Sequence, residues 1–71
     1  MTGYAVVIEQ AEGNLSAYVP DLPGCVSTGA TLEEVQANIA EAIAVHVESL
    51  RAHGEVVPPA SSTTSLVEVA L

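Results

Sequence analysis

One cysteine and two histidines are the residues of this sequence whose side chains could do nucleophilic or acid–base chemistry. His46 and His53 are seven residues apart, so on a helix they would share an edge but lie two turns, ~10 Å, apart. That separation is too wide for one metal ion, and one cysteine with two histidines does not make a closed zinc site. Cys25 has no basic neighbour that would lower the pKa of its thiol. We therefore expect all three residues to be structural, and we predict no catalytic residue, no metal site and no cofactor.

Three carboxylates are the other candidates for chemistry. Glu9, Asp21 and Glu68 could meet across a sheet if the last strand paired with the first, and such a trio can bind Mg²⁺ in folds that cut nucleic acid. Nothing in their spacing requires this arrangement. The chain has nine acidic residues and one basic residue, Arg51, so it has little with which to hold phosphates. A metal-dependent nuclease is the weaker alternative, and we predict that the chain is not an enzyme.

The net charge of −8 at pH 7 restricts the classes of partner. It disfavours direct binding to nucleic acid or to an anionic membrane surface. It permits attraction to a basic protein and would speed the encounter with one. The simpler interpretation is that the acidity keeps a small protein soluble.

Length and composition predict one small cytoplasmic domain over residues 1–71. The sequence shows no signal peptide, and no apolar run approaches the ~20 residues of a membrane span. A chain this short buries only roughly 60% of its unfolded surface. Because a single cysteine excludes an internal disulfide, we expect a homo-oligomer to supply the missing stability.

The order of predicted elements is βββαβ. β-favouring runs predict strands over about residues 4–9, 15–19 and 25–28, the first two forming a hairpin. Apolar spacing predicts a helix over about residues 32–52. A linker over residues 55–64 and a strand over about residues 65–70 would follow. That last strand is reached after a helix crossover, so we expect it to lie parallel to the strand it joins.

The predicted helix is amphipathic. One stripe consists of Leu32, Val35, Ile39, Ala42, Ile43, Val47 and Leu50, and this stripe can cover one face of the sheet. The other side carries the charged residues Glu33, Glu34, Glu41, Glu48 and Arg51. The fold class is therefore α+β, with a three-stranded antiparallel sheet, one further strand and one helix packed on the sheet.

The stretch between the second strand and the helix organises the chain. Pro23 and Gly24 suit the two central positions of a type II turn. Thr31 is expected to cap the helix with its hydroxyl, and Glu34 is expected to reach back to the N–H of the cap residue. This stretch therefore sets how the sheet meets the helix.

The same stretch resembles the HicB-type antitoxins, also known as UPF0150-like proteins. The resemblance covers residues 4 to about 50 and extends loosely to the last predicted strand. Its specific part is a run of residues at fixed offsets, namely Pro20, Asp21, Leu22, Pro23, Gly24, Cys25, Gly29, Thr31 and Glu34. Val35 stands where the family usually has alanine, which is a conservative departure.

The resemblance implies a partial RNase H-like fold without a nuclease centre, assembled into dimers or tetramers. It also implies an antitoxin of a type II toxin–antitoxin system, which binds a small, basic, mRNA-cleaving toxin of the HicA type and occludes its active site. Many members carry a C-terminal DNA-binding domain. This sequence stops at Leu71 without one, so we expect no direct DNA binding. A solitary oligomeric protein-binding module without a toxin partner is the alternative.

The residues that would contact a toxin are not part of the motif. The acidic side of the helix, with Glu33, Glu34, Glu41 and Glu48, is one candidate because a basic partner would be attracted to it. The edges of the sheet are the other candidate, through β-pairing between subunits or with a partner.

Overall fold

Three antiparallel strands and one long helix make up the regular structure of the computed structural model, which describes residues 2–71. The sheet contains β1 (Val7–Ala11), β2 (Asn14–Tyr18) and β3 (Val26–Gly29), in that spatial order. Helix α1 (Leu32–Ala52) follows β3 almost directly. The α+β fold class is confirmed, and the helix covers the range that the apolar spacing predicts.

Each strand is displaced by one to three residues from its expected position, and the loop after β2 explains why. Val19 does not continue the β2 ladder, because its N–H donates to the carbonyl of Cys25 at 3.1 Å. The last pair of the β1–β2 ladder is therefore Val7 with Tyr18. Residues 4–6 extend beyond that pair and have no strand opposite them, so β1 begins later than its β-favouring residues suggest.

The strand register separates an inner and an outer face of the sheet. Ile8 pairs with Ala17, and Ala17 pairs with Ser27, so these three side chains share the inner face, towards α1. The buried core is small and consists of Ala17, Val19, Leu22, Cys25, Val35 and Ile39. Half-buried apolar residues of the first strand region and of α1 surround it. The packing of α1 on β2 and β3 therefore holds the fold together.

Gly29 allows the first turn of α1 to approach β3 very closely. A Cβ atom at this position would lie 2.5 Å from the backbone nitrogen of Val35 and 2.8 Å from its Cα. Real Cβ atoms essentially never make such short contacts, and backbone atoms cannot rotate away. Only glycine fits here, which gives a physical reason for Gly29 in the motif.

Both ends of α1 are capped by local sequence. The Thr31 hydroxyl accepts a hydrogen bond from the Glu34 N–H at 3.1 Å, as expected. The Glu34 carboxylate accepts the N–H of Ala30 at 3.2 Å, one residue before the cap residue that we expected it to reach. At the other end, Gly54 has a φ of +68° and donates to Arg51, and Glu55 donates to Leu50. This Schellman arrangement satisfies the last carbonyls of the helix.

The predicted strand over residues 65–70 requires correction. The described chain forms no strand after α1. Leu66 and Val67 are 93% and 74% exposed, so this apolar segment pairs with nothing in its own chain. The alternating pattern is typical of a strand, but strand formation also needs a neighbour with free backbone groups. The linker over residues 55–64 instead returns to the body, where the carbonyl of Pro58 accepts the Tyr4 hydroxyl at 2.7 Å.

Candidate interaction surface

A groove lies between the edge of the sheet and the helix. β3 is the last strand of the sheet, so one of its edges has no strand beside it. The groove has a volume of about 530 Å³. Its walls consist of Gly24, Cys25, Val26 and Ser27 from the sheet side, and Asn38, Glu41, Ala42, Val45, His46 and Ser49 from α1. We refer to it as the β3 groove.

The β3 groove is lined by both apolar and polar side chains. Val45 is 63% exposed although it is apolar, and it lies between the acidic side of α1 and the core side. Cys25 is buried at the inner wall. Asn38 bridges the two walls, because its side-chain amide donates to the carbonyl of Thr28 at 2.8 Å. The groove therefore presents an apolar strip next to the free edge of β3.

Three of the four candidate acidic residues form one row along α1, and the middle one reaches this groove. Glu34, Glu41 and Glu48 are each separated by seven residues, so they follow one line along α1 at intervals of about 10.5 Å. All three are exposed, and Glu41 lies at the rim of the β3 groove. We refer to these three residues as the acidic row. Glu33 is also exposed but lies about 100° round the helix, outside the row.

Glu34 has a structural role as well, because its carboxylate accepts the N–H of Ala30 just before the first residue of α1 and so helps to cap the helix. Its negative charge also lies in the first turn of α1, where the helix dipole favours it. Glu41 and Glu48 have no such role in the described structure. They are therefore the members of the acidic row that can change without loss of the cap.

Two successive turns build the loop that carries the motif. The Leu22 N–H donates to the carbonyl of Val19, and the Cys25 N–H donates to the carbonyl of Leu22. Pro23 and Gly24 occupy the centre of the second turn, and Gly24 has the positive φ, +85°, that a type II turn requires. Leu22 is completely buried between the turns. The loop is therefore a rigid unit fixed by its own hydrogen bonds and by the core.

Asp21 has a role that the sequence does not reveal. Its carboxylate accepts the backbone N–H groups of Ser61 and Ser62 at 2.9 and 2.8 Å. It also accepts their two hydroxyl groups at 3.1 and 2.8 Å. These hydrogen bonds lower the pKa of Asp21 below its usual 3.8. The backbone and hydroxyl groups of Ser62 have the largest effect, and those of Ser61 have a smaller one. We call this arrangement the Asp21 anchor, since it ties the chain after α1 to the loop after β2.

The cysteine and the histidines do not come together. Cys25 is buried, and burial raises the pKa of its thiol, which disfavours the nucleophilic thiolate. His46 lines the β3 groove. His53 caps the C-terminus of α1, and its Nδ1 lies 2.7 Å from the carbonyl oxygen of Ser49. The side chain of His46 is half-buried, whereas that of His53 is exposed.

The carboxylate trio of the nuclease alternative is not assembled either. Asp21 is occupied by two serines, Glu9 is exposed on β1, and Glu68 is exposed after α1. Among residues 2–71, no group of three or more His, Cys, Asp or Glu side chains is placed to hold a metal ion. No described helix has the length and apolar character needed to cross a membrane.

Comparison with known proteins identifies relatives of the whole domain. The family described as HicB-like antitoxin of bacterial toxin–antitoxin systems matches residues 4–70, which include the exposed segment after α1. The UPF0150 protein Ta0767 of Thermoplasma acidophilum is 45% identical over 56 residues, covering 78% of this chain and 81% of its own. The UPF0150 protein ssr1765 of Synechocystis is also 45% identical over 56 residues, covering 78% of this chain and 71% of its own.

A solved structure supports the same assignment. One chain of a HicA3 and HicB3 toxin–antitoxin complex superposes with a TM-score of 0.72 at 32% sequence identity. The match covers 87% of this chain and 70% of that one. The turns of the loop, the close approach at Gly29 and the Thr31 cap give the motif residues their places in this fold. Taken with the match over residues 4–70, they show that the chain belongs to the HicB-like antitoxin family.

Proposed function

We propose that this protein is a non-enzymatic antitoxin that binds a small, basic, HicA-type ribonuclease and covers its active site. The observation that carries the proposal is the acidic row of a HicB-like chain whose net charge is −8. The resemblance to a chain of the HicA3 and HicB3 complex supports a toxin of the HicA class as the partner.

The acidic row suits a protein partner better than a small ligand. Its three carboxylates extend over about 21 Å of helix, which is the scale of a protein surface. The row is exposed, so its charges act mainly on the rate of encounter and on the choice of partner, and less on the final affinity. The Debye length is about 8 Å at physiological ionic strength, so this attraction weakens as salt is added. A basic toxin would be drawn to this face of α1.

The test of the proposal is neutralisation of a toxin. A HicA-type toxin is expressed in bacteria with and without this protein, and the purified toxin is assayed on mRNA with increasing amounts of this protein. We expect growth to be restored and cleavage to stop at a fixed stoichiometric ratio. Continued cleavage at saturating protein would show that the chain is not an antitoxin for that toxin.

A pair of charge-reversed variants tests the surface itself. Glu41→Lys with Glu48→Lys reverses two charges of the acidic row and leaves the Glu34 cap intact. Glu9→Lys with Glu12→Lys is the matched control, because it makes the same change in net charge on β1 and its turn. We expect the first pair to lower the association rate by about tenfold at low salt and the control to have a small effect. Equal effects would assign the attraction to net charge and remove the acidic row as the contact surface.

A further inference from the structure

Val45 is an apolar side chain in the middle of a charged stripe of α1. It follows Glu41 by four residues and precedes Glu48 by three, spacings at which side chains are neighbours on a helix. Both carboxylates are exposed. Val45 is itself 63% exposed, whereas Val35 and Ile39 of the same helix are buried in the core. Val45 therefore adds little to the core of its own chain and is available for contact with another molecule.

The β3 groove begins beside Val45 and continues inwards. Ala42, which is half-buried, and Cys25, which is buried, line it together with Val45. Its volume of about 530 Å³ lies in the range of pockets that hold ligands or the anchoring side chains of a protein partner. A bulky apolar side chain that entered the groove would leave water and contact apolar atoms there.

Asn38 limits what can enter the groove. Its side-chain amide holds the carbonyl of Thr28, which a further strand beside β3 would need for its own hydrogen bonds. This bond also ties α1 to the edge of the sheet. An added strand would find an open edge at β1 instead, which lies at the opposite side of the sheet and packs only against β2. The β3 groove therefore suits an inserted side chain better than an added strand.

The charges around the groove select the kind of partner. Glu41 lies at the rim, and Glu48 lies one heptad further along the helix. Arg51, the one basic residue of the sequence, is not among the residues that line the groove. A partner that complements this surface carries cationic side chains on either side of an apolar one. A basic protein meets that description, whereas an acidic protein or a nucleic acid would be repelled.

We propose that the β3 groove binds an apolar side chain of the basic toxin, with Val45 as the central contact and Glu41 and Glu48 facing cations on either side of it. This inference rests on the proposed function for the partner and adds the residue that holds the complex together. The two kinds of contact then have separate effects. The exposed carboxylates set the rate of association, and the apolar contact sets the rate of dissociation.

Binding kinetics of a purified HicA-type toxin test the role of Val45. In Val45→Ala we expect the dissociation rate to rise about tenfold, with the association rate unchanged, because apolar contact area is lost. Alanine is the strongest helix former, so this change does not weaken α1. Val56→Ala is the matched control, since it makes the same change at a valine that is 86% exposed and lies outside the groove. We expect the control to bind like the unmodified protein.

Salt separates the apolar contact from the charged ones. The measurements are repeated in KCl at about 1 M, where the Debye length is only about 3 Å. We expect the ratio of dissociation rates between Val45→Ala and the unmodified protein to stay near tenfold. The effect of Glu41→Lys with Glu48→Lys should almost disappear under the same conditions. A Val45→Ala protein that dissociates at the unmodified rate, or whose defect disappears with salt, would overturn the inference.

An NMR titration shows where the toxin lies. Unlabelled toxin is added to the ¹⁵N-labelled protein, and we expect the largest shift changes at the amides of Ser27, Ala42 and Val45. Changes centred on β1 would place the toxin at the open edge of the sheet and overturn the inference, while the proposed function would stand. An unmodified protein that binds no HicA-type toxin would overturn the proposed function and this inference with it. The two failures are therefore distinguishable.

Discussion

Replacing Gly29 with alanine tests the idea that close backbone packing sets the position of the helix. The new Cβ would meet three backbone atoms, at 2.5, 2.8 and 3.0 Å, all in the first turn of α1. Ordinary contacts begin at 3.4 Å, so the closest atom must retreat by about 0.9 Å, the difference between 3.4 and 2.5 Å. Because backbone cannot rotate away, the whole first turn must move.

The expected cost follows from two opposing terms. Replacement of glycine by alanine where the backbone permits it stabilises a protein by about 0.4–1 kcal/mol, through the unfolded chain. Overpacking of this kind typically costs about 1–3 kcal/mol, and occasionally more. The second term is larger here, so we expect the difference between them to lower the free energy of unfolding of Gly29→Ala by about 1–2 kcal/mol.

Urea unfolding followed by helical circular dichroism measures this cost. Gly3→Ala is the matched control, because no atom lies within 4 Å of a Cβ at Gly3. All variants are compared at one protein concentration, since association would change apparent stability. We expect the control to unfold at the same urea concentration as the unmodified protein, or slightly above it. Gly29→Ala with unchanged stability would refute the close-packing argument.

Three further changes test other parts of the structure. Ile39→Ala truncates a side chain on the buried face of α1 that is only 3% exposed, and we expect a loss of about 2–5 kcal/mol in the same urea assay. Thr31→Ala removes the oxygen that accepts the Glu34 N–H, and we expect a loss of about 1 kcal/mol there, with Thr31→Ser close to unmodified. Hydrogen bonds from Ser62 and Ser61 lower the pKa of Asp21, so its anchor is intact above pH 3.8 and is lost as the pH falls through the lowered value. We expect the amides of Ser61 and Ser62 to lose protection from hydrogen exchange in that acidic range. In Asp21→Ala we expect the same loss at neutral pH. Protection that survives in Asp21→Ala would contradict the Asp21 anchor.

Local features of the sequence predicted local features of the structure well. The type II turn at Pro23 and Gly24, the Thr31 cap and the bounds of α1 depend on residues within a few positions of one another. Their backbone preferences act whatever the rest of the chain does. The pattern of apolar residues on α1 likewise predicts which face is buried, except at Leu32, which is 53% exposed.

Features that join distant residues were not predictable in the same way. Asp21 and Ser61 are 40 residues apart, and neither a carboxylate nor a pair of serines specifies the other. The strand over residues 65–70 shows a related limit. Alternating apolar side chains indicate that a segment tends to form a β-strand, but they do not show which strand it would pair with. The acidic row could be placed on the helix from the sequence, whereas its position beside the β3 groove required the packing angle of α1 on the sheet.

The positions of the acidic row and the β3 groove depend on the stretch from residue 20 to residue 34. Its first half holds Ser61 and Ser62 through Asp21, and its second half fixes α1 through Gly29 and Thr31. A displacement of α1 would change the width of the groove and move the acidic row, because the row and one wall of the groove belong to the same helix. Toxin binding through the acidic row should therefore weaken in a folded Gly29→Ala protein. It should persist in Asp21→Ala, where Ser61 and Ser62 are released while the helix keeps its place.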